Sequence, residues 1–252
     1  MSRATPASDS YTNSNLFSGT YLDEHVDSID AWDCDEEAKR VFEELRALWR
    51  AEGDLVRSHN EDELLSAWID EVCEALGFDS LSETTLPGGY GYNDRLLFDS
   101  PERRREAVRE KRAGREEGAY GLASALLEAK QWDADFTERF ADDRSYRDAS
   151  HQVKYYLERT PGDLGWGILT DGRTWRLYGT KDYETSTYYE VDLVDLLESG
   201  DLEGIQLLFT SFFGRRCFAV RAARPSSIAS GPKARAPPRN SALTSRTTSS
   251  PR

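Results

Sequence analysis

The sequence predicts an α/β fold preceded by an extra N-terminal helix and followed by a disordered tail. Three observations lead to this reading. Two amphipathic helical stripes come first, short strand-like runs bounded by turn residues follow, and a hairpin signature lies between residues 165 and 180.

Residues 1–14 are rich in Ser, Thr and Asn and read as a disordered lead. In 35–49, Ala38, Val41, Phe42, Leu45, Leu48 and Trp49 recur at helical spacing beneath an acidic outer face. A second helix is expected over 61–76. Asn60 is placed to cap it, Leu64, Leu65, Trp68, Ile69, Val72 and Leu76 form its stripe, and Gly77 follows as a C-terminal stop. Pro87-Gly88-Gly89 is turn chemistry leading into a strand over 90–98. Residues 101–117 are nearly all charged and open on Pro101, which fits a solvated helix inserted between two strands. The apolar run 122–129 accepts helix or strand equally by propensity. A polar loop over 133–149 and a helix over 150–159 come next. Strands over 165–170 and 174–180 flank Asp171-Gly172, a strong hairpin signal. A further strand over 187–191 and helices over 191–197 and 202–213 complete the pattern.

Charge divides the chain sharply. No Asp or Glu occurs after Glu203, while nine of the 32 basic residues lie beyond Gly214. Residues 1–214 therefore carry 23 bases against 46 acids, which argues against a globally basic nucleic-acid coat or a polybasic membrane binder. With 26 Arg to 6 Lys, the composition resembles a halophile protein from a GC-rich genome; an ordinary acidic cytosolic protein is the alternative. The segment 214–252, rich in Arg, Ser, Pro and Ala, reads either as a natural basic tail or as out-of-frame translation, and is expected to be disordered in both cases. Cys34, Cys73 and Cys217 are too few and too scattered for a disulfide framework or a zinc site. With no apolar leader segment and no stretch approaching 18 apolar residues, a cytoplasmic location is expected and no membrane partner.

The residues that suggest chemistry are Asp94 in the 90–98 strand and Glu128-Ala129-Lys130 closing the 122–129 run. Two carboxylates from adjacent strands can chelate Mg²⁺ or Mn²⁺, hard cations that keep several waters. A lysine two residues after the second carboxylate lies on the same strand face, where it can orient or activate a water or neutralise a phosphate. Alone, the pattern is also compatible with a solvated strand end. Glu37-Ala38-Lys39 repeats it on the outer face of the first helix, where it reads as surface charge. Downstream, Gln152 and Tyr156 are one helical turn apart, so both can face a site beside the strand.

In order and spacing, Asp94, Glu128-x-Lys130 and Gln152-x-x-x-Tyr156, followed by Trp166-Gly-Ile-Leu-Thr-Asp-Gly-Arg-Thr-Trp-Arg-Leu-Tyr178, resemble the PD-(D/E)xK nuclease domain with its QxxxY extension. That form occurs in RecB-type nucleases and type I restriction subunits. The likeness is greatest to the N-terminal nuclease region of type IIG/IIL restriction-modification enzymes, and covers about residues 15–213. Asn15-Leu16-Phe17-Ser18 and Tyr21-Leu22 also resemble the start of such proteins. The resemblance implies a restriction-endonuclease-like core, a mixed sheet in αβββαβ order. It implies that Asp94 and Glu128 bind metal, that Lys130 is catalytic, and that Gln152 and Tyr156 support the site. Asn93 stands where the family often has Pro. Glu63 and Glu71 are the candidates for a first-helix metal carboxylate. The implied partners are double-stranded DNA and, in cis, methyltransferase and specificity domains that this chain lacks.

No adenosylmethionine-binding glycine motif, Asn-Pro-Pro-Tyr-like tetrad or Walker A loop is found in the sequence. His25, His59 and His151 stand apart, and Ser150 beside His151 reads as a helix cap. The expectation is an Mg²⁺-dependent DNA endonuclease domain, an N-terminal fragment of a phage-defence enzyme. The alternatives are a non-catalytic DNA-binding or scaffold module and an inactive gene fragment.

Overall fold

The computed structural model describes residues 11–18, 35–141, 144–162, 164–179 and 184–200. The fold is mixed α/β, a seven-stranded sheet in the order β1-β7-β6-β5-β4-β3-β2 with helices on both faces. The strands are β1 (Tyr11–Ser14), β2 (Asp79–Thr85), β3 (Tyr92–Phe98), β4 (Ala125–Ala129), β5 (Trp166–Thr170), β6 (Thr174–Gly179) and β7 (Tyr188–Asp192). All neighbouring pairs are antiparallel except β4 and β5, which run parallel and are joined through a helix, as a parallel crossover requires.

On one face lie α1 (Asp35–Val56), the segment from α2 (Glu61–Leu64) to α3 (Asp70–Ala75), and α7 (Leu193–Ser199). On the other lie α4 (Pro101–Arg112), α5 (Glu116–Leu122) and α6 (Ala149–Leu157). The two cores interleave along β4. Ala125, Leu127 and Ala129 enter the first and Leu126 the second. Every residue of β4 is buried, so its apolar run has no period-two alternation, and helix and strand could not be told apart in it by pattern. The run resolves as the end of α5 followed, from Ala125, by a strand.

The helix expected over 61–76 forms, with a π-helical turn at Leu65–Ile69 that separates α2 from α3. Asn60 caps it, accepting from Glu63 N at 3.0 Å while the Glu63 carboxylate accepts from Asn60 N at 3.0 Å. At the far end Gly77 N donates to Glu74 O and Phe78 N to Cys73 O, closing the helix as anticipated. The Asp171-Gly172 turn also forms. Gly172 has φ +86°, and its carbonyl accepts from Trp68 Nε1 at 2.7 Å, which fixes the hairpin tip to the π-helical turn.

Several expectations are corrected. Residues 11–14, expected in the disordered lead, pair with β7 as an edge strand. The strand β2 was not anticipated, because its sequence Asp-Ser-Leu-Ser-Glu-Thr-Thr is polar and lies at a sheet edge. The charged excursion is two helices broken at Gly114, which has φ +70°. Asp148, not Ser150, caps α6 by accepting from His151 N at 2.8 Å, and Ser150 Oγ donates to Phe136 O instead. The helix expected over 202–213 and the tail 214–252 lie outside the described residues. Among the described residues, no helix is long and apolar enough to cross a membrane.

Candidate active site

The site lies where β3 and β4 run side by side. Arg95 pairs with Leu127, Leu96 with Leu126 and Leu97 with Ala125, and continuing this register sets Asp94 opposite Glu128. Asp94 Oδ2 accepts from Ala129 N at 2.7 Å, which holds the carboxylate against β4. Next to it, Arg95 clamps Asp70 of α3 with two bonds of 2.8 Å and donates to Asp94 O at 2.9 Å. A bidentate guanidinium–carboxylate pair of this kind fixes direction as well as distance, so α3 and β3 are locked together beside the site.

Glu128 is almost fully buried, at 4% exposure. Its Oε1 accepts from Lys130 Nζ at 2.9 Å and from Gln152 Nε2. Its Oε2 is buried with no hydrogen-bond partner. Burial pushes the Glu128 carboxyl up to about 8; Lys130 opposes the rise, and the Asp94 and Glu61 carboxylates add to it. Burial likewise raises Asp94. Two carboxyls held next to each other in a buried site favour protonation of one of them.

Lys130 leaves β4 with its backbone N donating to Thr170 O, and its Nζ also reaches Ala129 O at 2.7 Å. Burial would lower its pKa, but the Glu128, Glu61 and Asp94 carboxylates outweigh burial and raise it, so the ammonium stays charged. From α6, Gln152 Nε2 reaches both Glu128 and, at 3.0 Å, Tyr156 Oη. The Gln152 Oε1 is also buried without a partner. Tyr156 Oη lies 3.5 Å from Tyr146 Oη. All five side chains singled out in the sequence (Asp94, Glu128, Lys130, Gln152 and Tyr156) thus belong to one contiguous cluster.

The first-helix carboxylate is a correction. Glu63 is engaged in its capping box and Glu71 is exposed on α3. The acids of α2 coupled to the cluster are Glu61, its first residue, and Asp62, which acts on Asp94. Partial desolvation raises the pKa of Glu61, Lys130 lowers it and Asp94 raises it. The signal in the sequence was Asn60. A cap at that position starts the helix at Glu61 and aims the first turn at the strand ends. Sequence reasoning also missed the partner of Asn93. This residue is fully buried, and its Oδ1 accepts from Tyr120 Oη at 2.7 Å, which makes a polar anchor where the resemblance anticipates Pro.

No group of three or more His, Cys, Asp or Glu is arranged to hold a metal ion among the described residues. Asp94 and Glu128 are the two carboxylates that the register of β3 and β4 sets opposite each other. No family model matches the chain, and neither the curated proteins nor the solved structures contain a match to it.

Proposed function

We propose that this chain is an Mg²⁺-dependent DNA endonuclease domain of the PD-(D/E)xK class, with Mn²⁺ as an alternative ion. The observation that carries the reading is the convergence of Asp94, Glu128, Lys130, Gln152 and Tyr156, drawn from two strands and a helix, into one connected cluster. The topology agrees with the restriction-endonuclease-like core. With α4 and α5 set aside as an insertion between β3 and β4, the order from α3 to β5 is αβββαβ, antiparallel across the first three strands and parallel across the last pair.

Asp94 and Glu128 would hold the ion, with Glu128 Oε2 as the free oxygen. Bound there, Mg²⁺ would polarise the scissile phosphate and lower the pKa of an attacking water. The residues divide the remaining work. Lys130 would offset phosphate charge or orient the attacking water. Gln152 fixes Glu128 Oε1, which would leave Oε2 to help hold the ion, and its own Oε1 would be an acceptor for a water proton. Tyr156 holds the Gln152 amide in orientation.

The test is Lys130→Ala in Mg²⁺ and molar salt on plasmid DNA. Cleavage should fall roughly 10²–10⁴-fold, with folding unchanged by circular dichroism. Lys130→Arg should not restore it, because a planar guanidinium cannot occupy the ammonium position between Glu128 and Ala129 O. Undiminished cleavage by Lys130→Ala would remove the assignment.

A further inference from the structure

Tyr90 and Tyr92 are large aromatic side chains left mostly in water, 56% and 60% exposed. They flank Gly91, whose backbone has φ +125° and passes so close to the site that a Cβ there would lie 3.4 Å from Tyr156 Oη. The Tyr156 hydroxyl is bonded to Gln152, and Gln152 to Glu128. The exposed pair therefore stands two side chains away from the proposed metal carboxylate.

The Tyr90 ring is held in place. It lies over the Gly88 turn, where a Cβ would meet it at 2.6 Å, and the Arg159 guanidinium sits 5.4 Å from its centroid. The same guanidinium lies 3.3 Å above the Tyr155 ring, and Tyr155 in turn packs on Tyr146 at 5.7 Å. Tyr90 and Tyr92 thus present exposed rings beside the proposed site, and Tyr90 is backed by the Arg159 guanidinium, which itself covers the buried Tyr155. Rings already fixed in orientation lose little freedom when a ligand stacks on them.

We infer that this surface is a stacking platform for unpaired bases, so that the strand reaching Glu128 and Lys130 is single-stranded or locally opened, not intact duplex. The inference rests on the nuclease reading and specifies the form of its substrate. In a duplex the base faces are covered by their neighbours, and only base edges, sugars and phosphates are presented. A chain with net charge −14 gains little from phosphates, whereas stacking on aromatic rings works with any base.

The experiment is anisotropy of a labelled twelve-nucleotide dT strand and of a hairpin duplex, with the full chain, chelator and no divalent ion. The dT strand should bind at least about tenfold more tightly than the duplex. Tyr90→Ala with Tyr92→Ala should weaken dT binding by about tenfold or more, the lower part of the range for lost base–ring stacks. Tyr90→Phe with Tyr92→Phe should retain it. No measurable dT binding, a duplex bound equally well, or an unchanged alanine variant overturns the platform. Cleavage in Mg²⁺ is scored separately. Cutting without strand preference leaves the nuclease and removes the platform, and Tyr-dependent strand binding without cutting supports the platform and removes the nuclease.

Discussion

The side-chain amide of Gln152 donates to the carboxylate of Glu128 across 24 residues of sequence, and the same nitrogen reaches Tyr156 one helical turn on. A helix residue thereby sets the rotamer of a strand carboxylate. Gln152→Ala should leave Glu128 without that partner, raise the Mg²⁺ concentration needed for half-maximal cleavage and slow turnover by about 10–100-fold, the usual effect of losing a group that orients a metal ligand. Rates measured across an Mg²⁺ titration check this, and an unchanged Mg²⁺ requirement would count against it.

A pH effect follows from Glu128. Its folded pKa is raised from 4.5 to about 8, so between those values the folded state holds a proton that the unfolded chain releases. The associated stability is fully present below about pH 4.5 and is lost as pH rises toward 8. Melting of the metal-free protein should therefore show a decline over this window that Glu128→Gln lacks. Added Mg²⁺ should stabilise the wild type more at pH 8.5 than at pH 6, because the ion replaces that proton. Identical pH slopes for wild type and Glu128→Gln would refute the assignment.

Asp171 provides a second titration away from Asp94 and Glu128. It is 3% exposed, and burial pushes its carboxyl up from 3.8 to about 6 despite bonds from Arg173 N and Thr174 N. Its contribution is present below 3.8 and lost as pH rises through 6. Asp171→Asn keeps an acceptor for both amides without the buried charge. It should stabilise the protein at pH 7 by on the order of 2 kcal/mol and have little effect near pH 3.5. Urea unfolding at the two pH values measures the difference.

Gly167 in β5 faces α6 so closely that a Cβ would lie 2.5 Å from Val153 Cγ1 and 3.1 Å from Leu157 Cδ1. Gly167→Ala should destabilise the fold by about 1–3 kcal/mol through overpacking. Because α6 carries Gln152 and Tyr156, cleavage should fall by more than the folded fraction does. Loss of activity strictly proportional to unfolding would show that α6 moves without disturbing the site.

Much of this arrangement was legible because it is local. The stripe of Leu64, Trp68 and Val72, the Asp171-Gly172 turn and the one-turn spacing of Gln152 and Tyr156 are each set by residues near one another in sequence. The remainder depends on distant contacts. β2 is polar and exists because it pairs along β3, and nothing in Asp-Ser-Leu-Ser-Glu-Thr-Thr signals that pairing. Glu61, Asp62 and Glu63 are three consecutive acids. Which of them faces Lys130 depends on where Asn60 starts the helix and how β4 ends. The π-helical turn likewise depends on Trp68 reaching a carbonyl 104 residues away.

The charged helix α4 lies along β2, the last strand of the sheet. Arg104 donates to Ser80 O at 2.6 Å, and Lys111 Nζ to Ser82 O and Glu83 O at 2.7 Å each. A terminal strand with unused carbonyls is a template on which another molecule's strand can grow. Here two cations occupy those acceptors, and Glu83, with φ +44°, breaks the flatness that a templated strand would need. The segment expected as a solvated helix therefore covers part of a sheet edge. Excising 101–117 would leave the residues of the proposed site in place, yet strip the Ser80, Ser82 and Glu83 carbonyls of their cationic partners.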